Sequence, residues 1–262
     1  MRLVGVVYLL LFAAPSFGQV AQTASSSDPF ALSLAQKSMA ALTGGVPVND
    51  VTLNANVISV LGAEPETGTA TFQAKGTRES RVDLAVPSGT RAEVRSNVGM
   101  FPTGAWAQNA STPVTVPQHN TWTDAAWFFP ALSSLSQVTN PQLVFSNVGQ
   151  EQHNGVTVQH IRSYQVTPSG VSNSSIPGLS VMDFYLDPNS YLPMAVAFNL
   201  HSDTNMGVNI PVEIRFANYQ AVNGVQIPFH FQRVLNGSLV LDATVTNVAI
   251  NTGLQDSSFT LQ

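Results

Sequence analysis

The sequence predicts an α+β fold, mostly antiparallel β, in a single domain. Two patterns carry that reading. Apolar and polar residues alternate with period two through most of the chain beyond residue 50, as in sheets with one dry face and one wet face. Three Asn-Gly pairs, at 154–155, 223–224 and 236–237, sit between alternating runs, and this dipeptide is the strongest short-range hairpin signal.

The chain opens on a segment with the pattern of a signal peptide, residues 1–18. Arg2 is a minimal basic start, Leu3 to Ala14 is an apolar run, and Ala14-Pro15-Ser16-Phe17-Gly18 supplies small residues before a cut. The run of 12 residues falls short of the roughly 20 needed to span a bilayer. Residues 19–28 read as a flexible polar leader, and residues 29–262 as the folded domain. Asp28 and Pro29 are a cap and a first-turn proline for a helix carrying Phe30, Leu34, Met39 and Leu42, which Gly44-Gly45 ends. Strands follow. Val51, Leu53, Ala55 and Val57 alternate with polar neighbours, as do Ala70, Phe72 and Ala74, and then Val82, Leu84 and Val86. In the next strand Arg91, Glu93 and Arg95 take one face and Ala92 and Val94 the other.

Residues 100–120 carry three prolines and read as irregular. Thr123-Asp124 opens a second helical segment to about Val138, with Pro130 inside it, so a kink or two short helices are expected. Its Trp127, Phe128, Phe129, Leu132 and Leu135 are apolar on most sides, and such a segment must be covered all round or face a cavity. The remainder is a meander of strands around the three Asn-Gly turns and the Asp187-Pro188-Asn189-Ser190 turn. The stretch 170–178 reads as a loop.

Composition narrows the function. The chain has 44% hydrophobic but only 10% charged residues, against a usual charged share of roughly 25%. Its net charge is −5, and removal of residues 1–18 with Arg2 makes it −6. No basic patch for nucleic acid or anionic lipid is evident. Absence of cysteine excludes disulfides, thiolate metal sites, cysteine nucleophiles and a lipidated N-terminal cysteine. An exported protein of a bacterial periplasm is expected, a secreted one being the alternative.

No motif specifies a chemistry. HExxH, GxSxG, GxGxxG and the phosphate-loop pattern are all absent, so no catalytic residue, metal ligand or cofactor is assigned. His119, His153, His160, His201 and His230 read as hydrogen-bonded or solvated strand histidines. The carboxylate pairs Asp183/Asp187 and Glu64/Glu66 are the only hint of a glycan hydrolase.

Several stretches resemble the LolA/LolB-like superfamily of envelope lipoprotein carriers. They are Val148-Gly149-Gln150-Glu151 through Val156, Phe184 to Asn189 leading to Leu192-Pro193, Phe216-Ala217-Asn218-Tyr219 to Val225, and the ending Val248 to Asn251 with Phe259. The resemblance implies a curved, unclosed β-barrel whose apolar concave face is covered by helices. It also implies binding of a lipid or lipoprotein acyl group there, without catalysis. No residue is matched to the lid-gating arginine of true carriers, and the missing cysteine speaks against the membrane-anchored receptor branch. The expected cavity lining is Phe72 and Leu84 from the sheet with Trp127, Phe128, Phe129, Leu132 and Leu135 from the second helical segment. Expected partners are a lipid or an acylated protein, or an envelope protein, with no transmembrane segment in the mature chain. The alternative is an envelope interaction or sensor module of the same shape with a filled interior.

Overall fold

The computed structural model describes residues 26–60, 62, 64–96, 101–167, 171 and 175–261. The expected signal peptide and most of the expected leader lie outside the described residues. Helix α1 (Pro29–Thr43) is built as its sequence directs. The Asp28 carboxylate accepts from the N–H groups of Phe30 (2.7 Å) and Ala31 (3.2 Å), which satisfies two of the orphan donors of the first turn. At the other end Gly44, at φ 56°, donates to the Ala40 carbonyl. A Cβ at Gly44 would also stand 3.0 Å from the Gly224 carbonyl oxygen, so glycine is required by conformation and by close packing. The buried face is Ala31, Leu34, Ala35, Ser38 and Leu42, a helical stripe turned onto the sheet.

Thirteen strands form one antiparallel sheet that does not close. They are β1 (Asp50–Ser59), β2 (Glu66–Lys75), β3 (Glu79–Val86), β4 (Gly89–Ser96), β5 (Thr103–Gln108), β6 (Val114–Thr115), β7 (Leu143–His153), β8 (Val156–Gln165), β9 (Met182–Leu186), β10 (Pro193–Ser202), β11 (Asn205–Val222), β12 (Val225–Leu235) and β13 (Ser238–Ile250). The order across the sheet is β6-β5-β4-β3-β2-β1-β13-β12-β11-β10-β9-β8-β7. Two meanders therefore meet at the centre. One runs outward from β1 to β6, and the other runs inward from β7 to β13. The single non-local pairing, β1 with β13, joins them from Val51↔Ile250 to Ser59↔Leu241. Register shifts in this ladder at Asn54/Ala55, and in the pairs β7–β8, β9–β10, β10–β11 and β12–β13, add local bend and twist to the curl.

The Asn-Gly hairpins form as expected, with positive φ at both residues of each pair, from 48° to 51° at the asparagines and 80° to 85° at the glycines. The second helical segment departs from a regular helix. It consists of two 3-10 turns, Pro130–Leu132 and Ser134–Gln137, preceded by non-helical turns. Pro130 has no N–H to continue a helix, and Ser133 between the turns is extended (φ −92°, ψ 179°), its hydroxyl donating to the Pro130 carbonyl. Residues 100–120 are less irregular than expected, since β5 and β6 lie there, and the one helical turn Ile176–Leu179 begins within the expected loop and runs just past its end.

In strand β4 the charged and apolar faces separate as expected, and it is the charged face that turns to the cleft. Arg91 pairs across from Leu84 and Glu93 from Val82 and Trp106, while Ala92 and Val94 take the other face. The C-terminal 3-10 turn Asp256–Phe259 packs on the outer side of β3 and β4, with Arg81 donating to the carbonyls of Ser258 and Thr260. Phe259 and Val94 are both buried. That covering makes the outer face dry enough for Val94 and frees the inner face for charge.

The central seam is tied by Asp50. Its buried carboxylate accepts from Thr252 N (2.8 Å), Thr252 Oγ1 (3.0 Å) and Gly253 N (2.9 Å), just beyond β13. Asp50→Ala leaves these donors without acceptors and is expected to lower unfolding free energy by about 2–3 kcal/mol. Urea denaturation read by circular dichroism measures it, and a loss under about 0.5 kcal/mol would show that the seam does not depend on this carboxylate.

Candidate ligand-binding site

The concave interior divides into a filled part and an open part. Ala126, Phe128, Phe129, Ala131, Leu132 and Leu135 are all buried, and they join α1 in one core over the middle of the sheet. Phe72 of β2 is the contact point. Its ring lies 5.0 Å from Phe231 and 5.2 Å from Phe128, with Trp127 edge-on at 6.1 Å. Trp127 is the last of this aromatic group before open space and is only half-buried.

Beyond Trp127 lies a cleft of about 830 Å³ between the β3–β6 arm and the strands β10, β12 and β13. Its apolar wall includes Leu84, Trp106, Leu200, Leu235 and Val240. A smaller pocket of about 50 Å³ lies against it, with Phe72, Leu84, Trp127 and Leu241 in its lining. Of the seven residues expected to line a cavity, Phe72, Leu84 and Trp127 border this open region. Phe128, Phe129, Leu132 and Leu135 are packed behind it and reach neither space.

The wall also holds charge that the sequence reading did not single out as a site. Arg91, Glu93 and Arg95 of β4 and Arg233 of β12 all line the cleft. Arg91 Nε donates to Glu93 Oε1 at 2.8 Å, and Arg233 Nη1 is 4.0 Å from Glu93 Oε2. The Arg91 guanidinium lies 4.3 Å from the Trp106 ring centroid and that of Arg233 lies 4.9 Å from Trp127. Burial pushes the Glu93 carboxyl up, but Arg233, Arg91 and Arg95 outweigh it and hold it below the ordinary range. Burial lowers Arg95 to about 10, against the pull of Glu93, and Arg233 pushes it the same way. The legible signal was Arg233. It continues the inward apolar register of Val225, Ile227, Phe229 and Phe231, where an arginine is out of place unless it has a task.

A strap bridges the two arms of the sheet beside the cleft. Asn120, in the 3-10 turn Gln118–Asn120, donates to the His201 carbonyl (2.8 Å) and accepts from the His201 N–H (2.7 Å). This amide pairs with β10 as another strand would. His119 Nε2 lies 3.0 Å from the Ser202 carbonyl oxygen, so its donating tautomer adds a third link. The His201 ring is buried, and its contact with the Met206 backbone is too weak to offset that burial. Burial lowers its pKa, and the neighbouring His119 pushes it down further.

The outer face carries the remaining polar clusters. His153 and His160, seven apart in sequence, meet on one ring: Tyr185 stacks on His153 at 3.7 Å and lies tilted against His160 at 4.5 Å. His160 Nε2 is 2.7 Å from Asp183 Oδ1, and Arg162 binds both oxygens of that carboxylate. Asp187 accepts from the N–H groups of Asn189 and Ser190 and so caps its turn, while Glu66 is held by Ser88. Of the carboxylates considered for glycan hydrolysis, Asp183, Asp187 and Glu66 thus serve an ion pair and turns, and Glu64 is exposed. Among the described residues, no group of three or more His, Cys, Asp or Glu is placed to hold a metal ion. No helix among them is long and apolar enough to cross a membrane.

Two buried groups give opposite pH dependences. His201 has a lowered folded pKa, so its contribution is complete above the ordinary value of 6.5 and is lost as the pH falls below it. Asp124, whose carboxyl accepts from Ser134 N and Oγ, is raised by burial to about 6, so its contribution is lost as the pH rises through 6. His201→Gln is expected to reduce the loss of stability on going from pH 7.5 to 5, and Asp124→Asn to increase it. Denaturant midpoints across that range check both signs, and parallel curves for parent and variants would refute them.

No family model matches this chain, and no curated protein matches it. Solved structures match over most of its length. A Vibrio parahaemolyticus domain assigned to outer membrane lipoprotein sorting is 15% identical, covers 88% of this chain and 96% of its own, and superposes with a TM-score of 0.56. A DUF1329 family protein from Desulfovibrio piger is 11% identical over 90% of this chain and 100% of its own, with a TM-score of 0.57. A LolA superfamily protein from Nitrosomonas europaea is 12% identical over 88% and 97%, with a TM-score of 0.50. One curled, unclosed antiparallel sheet with its helical turns inside is thus the fold this chain shares with LolA-superfamily and lipoprotein-sorting proteins.

Proposed function

We propose that this protein is an exported, non-catalytic envelope protein that binds or carries a lipid or the acyl group of a lipoprotein. The observation that carries the reading is the open cleft of about 830 Å³ on the inner face of the sheet, walled by Leu84, Trp106, Leu200, Leu235 and Val240. Its size falls within the roughly 300–1,000 Å³ of small-molecule sites. Its placement between the arms of an unclosed sheet offers a chain entry from the side. Each methylene buried there contributes about 0.8 kcal/mol, so affinity comes from chain length. The shared fold with a lipoprotein-sorting domain supports the same reading. The filled half of the interior gives the protein a stable core with or without a ligand.

Native mass spectrometry of protein expressed with its own leader in a bacterial periplasm tests this. A non-covalent adduct of lipid mass is expected, and it is expected to disappear in Leu235→Asp and Val240→Asp, which place a carboxylate on the cleft wall. A bare mass, with no uptake of added fatty acid or lipopeptide, would refute acyl binding and favour an interaction module of the same shape.

A further inference from the structure

The inner end of the cleft is cationic in a protein whose net charge is −5. Three guanidinium groups, Arg91, Arg95 and Arg233, share one carboxylate, Glu93. The other acids lining the cleft stand at its rim: Glu64 and Asp203 are exposed, and Glu66 is held by Ser88. Behind Arg95 a cavity of about 70 Å³ contains Asp124, whose carboxylate is taken up by Ser134.

Two features go beyond charge balance. Arg95 Nη1 and Arg233 Nε are buried without a hydrogen-bond partner, and an unpaired buried donor is costly unless something completes it. The arginines are also held in place by contacts that consume no N–H: Arg91 lies over Trp106, Arg233 over Trp127, and Arg95 fills the space opposite Gly104, where a Cβ would stand 3.0 Å from Arg95 Cδ. Stacked guanidiniums keep their donor edges free, and that fork matches the two oxygens of a carboxylate or phosphate. Beside these donors run Leu84, Val240 and Leu235.

We propose that Arg91, Arg95 and Arg233 form an oxyanion site that takes the headgroup of an anionic amphiphile, whose hydrocarbon chain lies along Leu84, Leu235 and Val240. This rests on the acyl-binding reading and narrows its ligand class to lipids with an exposed carboxylate or phosphate. Neutral lipids of equal chain length lose the headgroup contacts and leave the guanidinium donors buried and unpaired. Cationic amphiphiles are repelled.

Titration of the full domain, followed by the fluorescence of Trp106 and Trp127, tests the proposal. The probes are laurate, dodecanol and dodecyltrimethylammonium, with acetate and inorganic phosphate as headgroups without a chain. Laurate is expected to bind at least tenfold more tightly than dodecanol, and the advantage is expected to shrink as salt is raised. Arg95→Gln and Arg233→Gln, made singly, are expected to weaken laurate about tenfold and leave dodecanol within twofold. The comparison of laurate with dodecanol on the parent protein needs no variant to fold. Equal binding of laurate and dodecanol would overturn the headgroup site and leave the acyl-binding reading standing. Binding of acetate or phosphate as tight as laurate would overturn the amphiphile in favour of a free anion. No binding of any chain would overturn both readings.

Discussion

The structure depends on one pairing, β1 with β13. Every other ladder in the sheet joins strands that are neighbours in sequence, most of them through a short turn. The β1–β13 ladder alone brings together residues nearly 200 apart, so it carries the largest loop-closure cost and turns two separate meanders into one sheet. Its inner face, Leu53, Ala55 and Val57 beside Ala243 and Val245, forms part of the core under α1 and the 3-10 turns. Its lower end is clasped by Asp50, and Asn251 accepts from Asn49 N and donates to the Pro47 carbonyl. Without that seam neither half of the interior has a floor.

Given the seam, the division of the interior follows from where bulky residues fall. The plug of Phe128, Phe129, Leu132 and Leu135 fills the space beside α1, and Trp127 closes it off. On the far side no helix among the described residues covers the inner face of the arm β3–β6, and the Asn120–His201 strap holds it to β10 through backbone-like hydrogen bonds. A cleft with a rigid floor and a single polar strap at its side is what a ligand-accepting variant of this sheet requires. It arises here from incomplete filling, with no closed barrel.

A chain with so few charges places them in pairs. Arg81–Asp83, Arg91–Glu93 and Glu213–Arg215 are each two apart on one strand, so both members share a face by construction. Such half-exposed pairs are worth little individually. The Arg91–Glu93 pair is no less accessible than the others, but it faces the cleft, and two further arginines join it there. That gathering of three arginines around one carboxylate sets the cleft wall apart from the other pairs.

The sequence by itself determined what local chemistry can determine. Asp28-Pro29 and Gly44 set the ends of α1, the Asn-Gly pairs set three hairpins through their positive φ, and alternation showed that Leu53, Phe72, Leu84 and Phe231 share dry faces. The antiparallel sheet and the apolar mid-chain segment were legible for the same reason. Tertiary structure decided the rest. A period of two says that a strand has two faces and is silent on which one turns inward, so Arg91, Glu93 and Arg95 were legible as a face while their position inside the cleft was not. That choice was made by the C-terminal turn: Phe259 covers the outside of β3 and β4, 163 or more residues away in the chain, and gives Val94 a dry place there. Tertiary packing likewise separated the expected lining residues, because whether Phe128 or Trp127 meets open space depends on which neighbours fill the volume around each ring.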